Sequence, residues 1–152
     1  MYQIFSTFKL TNSLTGLMIA YPAFGLPFAT WLMMGYYASI PREMEEAAMI
    51  DGCNPFQAFW KVVLPLTLPA LMAAAMFSIT LAWKEFIFAY IFLSKESLFT
   101  LTIGMAQMIV GDVLPWGELS AAALLMAIPV GILYVVGQRF MVAGLTAGAV
   151  KG

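Results

Sequence analysis

Polar and apolar positions alternate on a long scale along this chain, with three uncharged runs separated by short polar segments. The runs cover residues 10–41, 62–83 and 119–138 and contain 32, 22 and 20 residues. A helix needs about 20 apolar residues to cross the hydrocarbon core of a bilayer. The pattern therefore predicts three membrane-spanning helices, at about residues 14–39, 62–83 and 119–138, the last of which ends at Arg139.

Two prolines, Pro22 and Pro27, lie inside the first predicted span. Proline kinks a membrane helix, and neighbouring groups can satisfy the carbonyls that it leaves free. The sequence leaves two interpretations open, which are a flexing helix that lines a solute pathway and a static packed kink.

The segment between the first two spans, residues 41–61, contains residues that end and begin helices. We predict a helix that begins at Pro41 and ends at Gly52 in the left-handed conformation. Asn54 then caps a second short helix, in which Pro55 takes the first position. The interpretation is a compact pair of helices between two spans.

Helical spacing predicts which side chains of this segment share a face. The first helix has a face that is small in the middle, made of Met44, Ala47, Ala48 and Asp51. The second helix has an apolar face made of three aromatic residues, Phe56, Phe59 and Trp60. The first of these faces allows another protein surface to approach closely, because alanine carries only a methyl group.

The stretch after the second span predicts shorter elements. Residues 86–93 are too few to cross a bilayer, so they either prolong the second span or lie at the interface. Residues 94–97 form a turn, and residues 101–110 form a short interfacial or re-entrant helix that Gly111-Asp112 ends. Residues 115–117 are predicted to be a loop before the third span.

Composition places the chain in a membrane and excludes several kinds of chemistry. Hydrophobic residues make up 62% of the chain and charged residues 10%, against about a quarter in soluble domains. The net charge is −1, so we expect no nucleic-acid partner. The chain has no histidine, a single cysteine (Cys53) and no cluster of Cys, Asp and Glu with metal-ligand spacing. The phosphate-binding pattern Gly-x-x-x-x-Gly-Lys-Ser/Thr is absent, so we expect no catalytic residue, no metal and no ATP hydrolysis in this chain.

The segment between the first two spans also resembles a known motif. Glu46-Ala47-Ala48 is followed after three residues by Gly52, and after nine more by Val62-Val63-Leu64-Pro65. This spacing resembles the EAA loop of the permease subunits of ABC importers, with Val62 where the family has isoleucine. Residues 40–71 and 144–152 look most like permeases of the maltose or sugar type, and the resemblance covers about residues 14–152.

This resemblance implies an all-α, polytopic transmembrane protein with about three spanning helices, a cytoplasmic coupling helix and a short external interfacial helix. Residues 1–152 would form a partial, C-terminal portion of the importer's transmembrane domain, and residues 41–61 its cytoplasmic EAA coupling loop. Permeases of this type carry further spans, so we expect a larger subunit. The implied function is ATP-driven uptake of a carbohydrate across a bacterial-type inner (plasma) membrane.

The resemblance also implies partners. These are ABC ATPase subunits, a second permease subunit, an extracytoplasmic solute-binding protein and the lipid bilayer. No cofactor is expected in this chain, because the partner ATPase binds ATP with magnesium. The chain itself would not be an enzyme.

In the family, the EAA loop docks in a cleft on the ATPase. The coupling residues expected from the resemblance are Glu46, Ala47, Ala48, Gly52, Phe56 and Phe59. The alternative for the aromatic members is packing against the membrane-proximal ends of the helices.

A second short stretch resembles the family's Trp-Asn-Glu-Phe sequence, with Lys84 in place of asparagine. Its residues are expected near the outer half of the solute pathway: Trp83, Lys84, Glu85 and Phe86. Ionisable residues at membrane depth are candidates for function. The alternative is anchoring at the membrane surface, because a lysine close to that surface can extend its charge into water.

Two other classes of function remain as alternatives. A fragment of an ion-coupled secondary transporter would need no ATPase and would show inverted repeats, and none is visible in this sequence. A membrane protein with no transport role is the other alternative, favoured if the chain truly begins at Met1.

Overall fold

The computed structural model describes residues 2–109 and 114–149, with side chains described for residues 3–109 and 114–138. Within these ranges every regular element is helical, which confirms the all-α fold. The α-helices are α1 (Tyr2–Thr7), α2 (Leu14–Ala20), α3 (Pro22–Ser39), α4 (Glu43–Ile50), α5 (Pro55–Ala58), α6 (Leu64–Trp83), α7 (Ile87–Phe92), α8 (Leu101–Gln107) and α9 (Trp116–Ala149). A π-helical turn covers Phe59–Val63, and a 3-10 turn covers Glu96–Leu98.

Three helical stretches of the described chain are long and apolar enough to cross a membrane: Leu14–Ser39, Pro55–Trp83 and Trp116–Gln138. The first has the predicted bounds, whereas the second and third begin earlier than predicted. This agrees with a polytopic protein of about three spans.

The first span is divided at Tyr21, between α2 and α3. The division follows from Pro22, which has no N–H with which to continue the hydrogen-bond ladder. Pro27 lies inside α3 without ending it. The chain therefore interrupts this span at one of its two prolines and accommodates the other.

The second span is continuous with the segment before it, and this differs from the prediction. The short helix α5 does not stop but passes through the π-helical turn directly into α6. The N–H of Leu64 donates to the carbonyl of Phe59, five residues back, as a π-helix requires. Pro65 lies in the first turn of α6, directly after the π-helical turn.

The third helix is longer than predicted at both ends. Residues 115–117 were expected to be a loop, but α9 begins at Trp116, and the N–H of Leu119 donates to the carbonyl of Pro115 at 3.0 Å. Glu118 in the first turn favours a helix N-terminus. Arg139 does not end the helix, which continues to Ala149. Residues 140–149 contain no proline, so none of them lacks the N–H that continues the helical ladder.

The segments after the second span are also resolved into separate elements. Residues 86–93 do not prolong that span, because α6 ends at Trp83 and α7 begins at Ile87. The predicted turn at residues 94–97 is a 3-10 turn. The short helix predicted for residues 101–110 ends at Gln107. The predicted stop at Gly111-Asp112 lies outside the described residues.

The chain divides into two compact units, which are described separately: residues 1–25 with 79–133, and residues 26–78 with 134–152. The core of the first unit is a cluster of buried apolar side chains, Phe5, Leu17, Ala20, Ala89, Phe92, Leu93 and Ile103. Phe92 meets the ring of Phe5 edge-on at 4.9 Å and stacks on Phe88 at 5.9 Å. Helix α7 is therefore a core element of this unit.

One asparagine ties distant parts of the first unit together. The backbone of Asn12 has a positive φ of 55°, and its N–H donates to the carbonyl of Phe92 at 2.7 Å. Its side-chain oxygen accepts from the N–H groups of Ser94 and Lys95, both at 3.0 Å. Asn12 thus holds the loop that follows α7 against the loop that precedes α2.

The second unit is held together by contacts between its long helices. The rings of Phe28 and Phe77 stack at 4.0 Å. Met76 is buried, and a side chain at Gly137 would overlap its thioether. Helix α4 packs on α5 and on the π-helical turn. The small residue at position 137 therefore lets α9 approach α6 closely.

Gly16 is the glycine whose replacement we expect to cost most stability. It is buried in α2, and a Cβ there would overlap the carbonyl oxygen of Leu10 and lie 2.9 Å from the carbonyl carbon. Backbone cannot move aside as a flexible side chain can, so Gly16→Ala should lower the free energy of unfolding by about 1–3 kcal/mol. Gly35→Ala is the matched control, because no atom lies within 4 Å of that Cβ.

Thermal unfolding of the purified permease in detergent measures this difference. We expect Gly16→Ala to lower the unfolding temperature and Gly35→Ala to leave it unchanged or raise it. Equal unfolding temperatures for the two variants would contradict the close approach of Leu10 to α2.

Candidate functional site

Helix α4 begins two residues later than predicted. Its first helical residue is Glu43, and Pro41 precedes it. The carbonyl of Pro41 accepts from the N–H of Met44 at 3.2 Å, and the carbonyl of Arg42 accepts from Glu45 at 3.0 Å. These two bonds span three residues, so the entry to α4 is a tight turn rather than a proline at the first helical position. Acidic side chains in the first turn favour the positive end of the helix dipole: Glu43, Glu45 and Glu46.

The C-terminal end of α4 is closed by backbone hydrogen bonds around Gly52. The N–H of Gly52 donates to the carbonyl of Met49 at 3.1 Å, and the N–H of Cys53 donates to the carbonyl of Ala48 at 3.0 Å. This pair of bonds is a Schellman motif, which needs a left-handed residue at the glycine position. Gly52 has φ +89°, which confirms the predicted left-handed end of the helix.

The next helix starts with a second complete cap. The side-chain oxygen of Asn54 accepts from the N–H of Gln57 at 2.8 Å, and the side-chain oxygen of Gln57 accepts from the N–H of Asn54 at 3.1 Å. This is a capping box, and Pro55 stands in the first turn as predicted. Hydrogen bonds made by residues of the segment itself therefore close the turn between α4 and α5 on both sides.

The structure separates the two alanines that the helical spacing grouped together. Ala48 is only 7% exposed, and Ala58 of α5 is fully buried. Ala47 and Glu46 are exposed. Because α4 packs on α5 and the π-helical turn, Ala48 belongs to the packing within the segment. Ala47 and Glu46 remain accessible to another protein.

Large apolar side chains at the turn are unusually exposed. Ile50 is 86% exposed and Phe56 is 72% exposed, while Met49 is also exposed. The ring of Trp60 meets Phe56 at 6.1 Å and Phe59 at 5.8 Å, both edge-on. Sequence reasoning missed Ile50 and Met49. The signal in the sequence was an apolar pair, Met49-Ile50, close before Gly52, which ends the helix.

The residues predicted for the solute pathway do not converge on one site. Lys84 is exposed, and Phe86 is exposed with its ring 5.4 Å from that of Tyr90. Glu85 instead caps α7, since its two carboxylate oxygens accept from the N–H groups of Phe88 at 2.8 Å and Ala89 at 3.1 Å. The three residues that follow Trp83 in the sequence therefore do not face one shared site.

Trp83 is fixed by its indole nitrogen. Nε1 donates to the carbonyl of Met126 on α9 at 3.0 Å, while the side chain as a whole is 42% exposed. Met126 lies three residues before Pro129. In the second unit, the hydroxyl of Tyr36 donates at 3.1 Å to the carbonyl of Leu66, which lies three residues before Pro69.

Each proline leaves the carbonyl four residues before it without its usual helical donor. Each aromatic donor bonds to the next carbonyl, three residues before the proline. A proline inside a helix removes the hydrogen bond to the carbonyl four residues back and weakens the turn around it. Neighbouring helices can supply substitute donors at such turns. The indole of Trp83 and the phenol of Tyr36 fasten α9 and α6, respectively, close to these weakened turns.

Comparison with known proteins assigns this architecture to a family. Residues 3–146 match the family described as "Binding-protein-dependent transport system inner membrane component". The chain is 40% identical over 153 residues to the sulfoquinovosyl glycerol transport system permease protein SmoH of Agrobacterium fabrum, covering 100% of this chain and 53% of SmoH. It is 42% identical over 153 residues to the diacetylchitobiose uptake system permease protein DasC of Streptomyces coelicolor, covering 99% of this chain and 55% of DasC.

A third relative is the trehalose/maltose transport system permease protein MalG of Thermococcus litoralis, which is 36% identical over 143 residues. That match covers 93% of this chain and 51% of MalG. The chain thus spans about half the length of the curated relatives it matches. The resemblance to sugar-type permeases of ABC importers is confirmed. The chain belongs to the family of inner membrane components of binding-protein-dependent transport systems, and it is a multi-pass protein of the inner membrane.

Proposed function

We propose that this chain forms part of the transmembrane subunit of an ATP-driven carbohydrate importer, in which residues 41–61 couple a separate ATPase to alternating access. The relatives named above are permeases for sulfoquinovosyl glycerol, diacetylchitobiose and trehalose/maltose. Family membership argues against a secondary transporter or a membrane protein without a transport role. In this proposal ATP and magnesium are bound by the partner ATPase, and this chain carries no cofactor.

The observation that carries the coupling role is the doubly capped turn between α4 and α5. A cap at each end holds the turn in one conformation, so its side chains are presented without a large ordering cost on binding. Ile50 and Phe56 are exposed there, although burial of such side chains is favourable by about 1.5–3 kcal/mol each. A protein surface that covers them supplies that burial. Ala47 and Gly52 permit the close approach.

Charge suggests the chemistry of the partner surface. Residues 41–61 contain two basic side chains and four acidic ones, Arg42, Lys61, Glu43, Glu45, Glu46 and Asp51. A docking cleft that complements this segment would therefore have basic residues at its rim and an apolar floor. Glu46 is exposed on α4 and available to an arginine of the ATPase.

The continuity of α5 with α6 suggests how movement reaches the membrane. Pro55–Trp83 forms one helical stretch of 29 residues. When the ATPase closes and displaces the turn, this helix transmits the displacement to the second span, since no flexible loop lies between them. The π-helical turn at residues 59–63 is the place where such a helix can shift its register.

The proposal also assigns the other segments to a side of the membrane. The 41–61 segment lies on the cytoplasmic side, and α8 lies on the external side. A second permease subunit completes the pathway. Trp83, Lys84, Glu85 and Phe86 lie towards its outer half. Glu85 acts there through its cap on α7, so direct contact with solute falls mainly to Trp83.

Reconstitution tests the proposed function. The full-length permease, its sister permease, the ATPase and the solute-binding protein are placed in proteoliposomes with radiolabelled maltose, trehalose or diacetylchitobiose outside. We expect accumulation of at least one of these sugars that requires ATP on the ATPase side. Accumulation that persists without ATP but follows an ion gradient would instead indicate a secondary transporter.

The proposed orientation has its own prediction. Cys53 lies in the turn and is half-buried. In a permease whose other cysteines are replaced, a membrane-impermeant maleimide should label Cys53 in inside-out vesicles and not in intact spheroplasts. Cys53→Ser is the control for background labelling. Labelling of spheroplasts would place the turn outside and remove it from contact with a cytoplasmic ATPase.

A further inference from the structure

The start of the second span is built from weak helical turns. The π-helical turn at Phe59–Val63 leads into α6, and Pro65 and Pro69 follow it. Each proline lacks the N–H that would bond to the carbonyl four residues back, so each removes one bond of the helical ladder. The hydroxyl of Thr67, which is fully buried, donates to the carbonyl of Leu64 at 2.8 Å, a local bond that competes with the ladder. This stretch therefore resists bending less than a regular helix does.

The weak stretch lies between the coupling segment and the rest of the second span. Residues 41–61 end inside the π-helical turn, and α6 continues from there to Trp83. A displacement of the turn between α4 and α5 must pass through this stretch to reach the middle of the membrane. A soft stretch would take up the displacement by bending, and the remainder of α6 would stay in place. Transmission thus requires a contact that stiffens the stretch from outside the helix.

The phenol of Tyr36 on α3 makes such a contact. Its hydroxyl donates to the carbonyl of Leu66 at 3.1 Å, three residues before Pro69. The carbonyl of Tyr36 itself lies in the last turn of α3, where the ladder supplies no donor, and it accepts from the hydroxyl of Ser39 at 2.7 Å. The Tyr36–Leu66 bond therefore joins a reinforced helix end to a weakened helix start.

The same bond closes a loop around the coupling segment. Tyr36 and Leu66 are 30 positions apart, and residues 41–61 lie wholly between them. Within this loop, α4 packs on α5 and on the π-helical turn. The end of α3 and the start of α6 are therefore linked both through the coupling segment and directly through the phenol. A displacement of the turn then moves both helix ends together.

We propose that the hydroxyl of Tyr36 braces the Pro69 turn of α6, so that displacement of the coupling segment moves the second span instead of bending its start. Tyr36 is a positioning residue for energy coupling, and this role requires no contact with ATP or with solute. The inference rests on the proposed coupling function of residues 41–61 and adds the residue that stiffens the connection to the membrane.

Hydrogen exchange tests the brace without reference to transport. The sample is the complex of full-length permeases and ATPase in nanodiscs, and mass spectrometry follows the backbone N–H groups of residues 62–72. Tyr36→Phe removes the hydroxyl and keeps the ring. Because one hydrogen bond is lost, exchange in this stretch should become about twofold to tenfold faster. Tyr37→Phe is the matched control, since the Tyr37 hydroxyl makes no hydrogen bond to another described residue, and it should leave exchange unchanged.

A double substitution distinguishes a brace from ordinary packing of the ring. Pro69→Ala restores the N–H that bonds to the carbonyl of Pro65, so the turn no longer needs support. In this background Tyr36→Phe should change exchange by less than about twofold. Pro27→Ala is the control background, because it restores a bond inside α3 and leaves the Pro69 turn as it is. Tyr36→Phe should keep its full effect there, and equal effects in the two backgrounds would overturn the brace.

The role in coupling is measured as solute taken up per ATP hydrolysed in proteoliposomes. Tyr36→Phe should lower this ratio about twofold to tenfold and leave the KM for solute unchanged, because the residue acts on transmission and not on solute binding. In the Pro69→Ala background, Tyr36→Phe should leave the ratio close to that of Pro69→Ala alone.

The outcomes separate this inference from the proposed function. Unchanged exchange in Tyr36→Phe overturns the brace even if the complex imports sugar. Faster exchange with an unchanged ratio of uptake to ATP hydrolysis overturns its role in coupling. If the wild-type complex shows no ATP-driven uptake, the proposed function fails, whereas the exchange measurements still decide whether Tyr36 braces the turn.

Discussion

Replacing Gly52 with valine is expected to abolish solute uptake while the permease still inserts and folds in the membrane. Gly52 has φ +89°, a conformation that is a strong outlier for a β-branched residue. No atom lies within 4 Å of a Cβ at this position, so the effect comes from the backbone alone. Such strain costs on the order of 1–3 kcal/mol, which reduces the population of the native turn about fivefold to 150-fold.

The Schellman bonds of Met49 and Ala48 depend on the same conformation, so the turn should lose its fixed shape together with its glycine. Uptake in proteoliposomes should fall at least about tenfold, and ATP hydrolysis should no longer respond to solute. Gly52→Asn is the matched control, because asparagine tolerates the left-handed conformation, and this variant should keep most of the uptake. Full uptake by Gly52→Val would show that the turn only connects two helices and does not couple the ATPase to transport.

Replacing Ala47 with tryptophan is expected to have the second-largest effect. Ala47 is exposed on α4, so a bulky side chain meets no obstacle within the described chain and the subunit should fold normally. In the complex, the indole would hold the turn away from the ATPase and prevent burial of Ile50 and Phe56. We expect strongly reduced uptake, measured in proteoliposomes, with ATP hydrolysis that no longer depends on solute.

Ala106→Trp controls for the bulk of the substitution, because Ala106 is exposed on α8, which belongs to the first unit, whereas Ala47 belongs to the second. It should retain uptake. Ala47→Trp with unchanged uptake and unchanged stimulation by solute would show that this face of α4 touches nothing that matters for transport. Ala48 is unsuitable for the same experiment, since it is buried and a large residue there would disturb the packing of α4 itself.

Local chemistry made much of this fold predictable. The uncharged runs located the three spans, because the bilayer requires long apolar helices. The cap residues located the turn between α4 and α5. Gly52 tolerates the left-handed conformation, Asn54 favours a helix N-cap and Pro55 favours the first turn, and none of these preferences depends on distant contacts. These features depend on a few neighbouring residues and are therefore visible in sequence.

Features that depend on distant packing were not predictable. Helical spacing puts Ala47 and Ala48 on one face, and only the position of α5 and the π-helical turn decides that Ala48 is buried. Asn12 bonds to residues more than 80 positions away, so no local pattern points to it. The carboxylate of Glu85 caps α7, which the sequence did not predict, because the chain breaks after Trp83 and a new helix begins at Ile87.

The candidate sites also combine features that local sequence predicts with features that depend on distant packing. The motif predicts residues 41–61 as the docking segment, whereas the exposure of Ile50, the most exposed large apolar residue of that segment, follows from how α4 ends. A pocket of the first unit is lined by residues of α2 and α6 together with Thr100, which are far apart in sequence. It can be found only when the first unit is folded.

Photo-cross-linking from position 50 tests the central claim most directly. A photoreactive benzoylphenylalanine replaces Ile50, which is 86% exposed, in the purified complex of permeases and ATPase, and the same residue at position 106 serves as the control. Coupling through the turn predicts that light joins the permease to the ATPase subunit from position 50 and not from position 106, with a yield that changes when ATP binds. Cross-links from position 50 to lipid or to the sister permease alone, with none to the ATPase, would contradict the account.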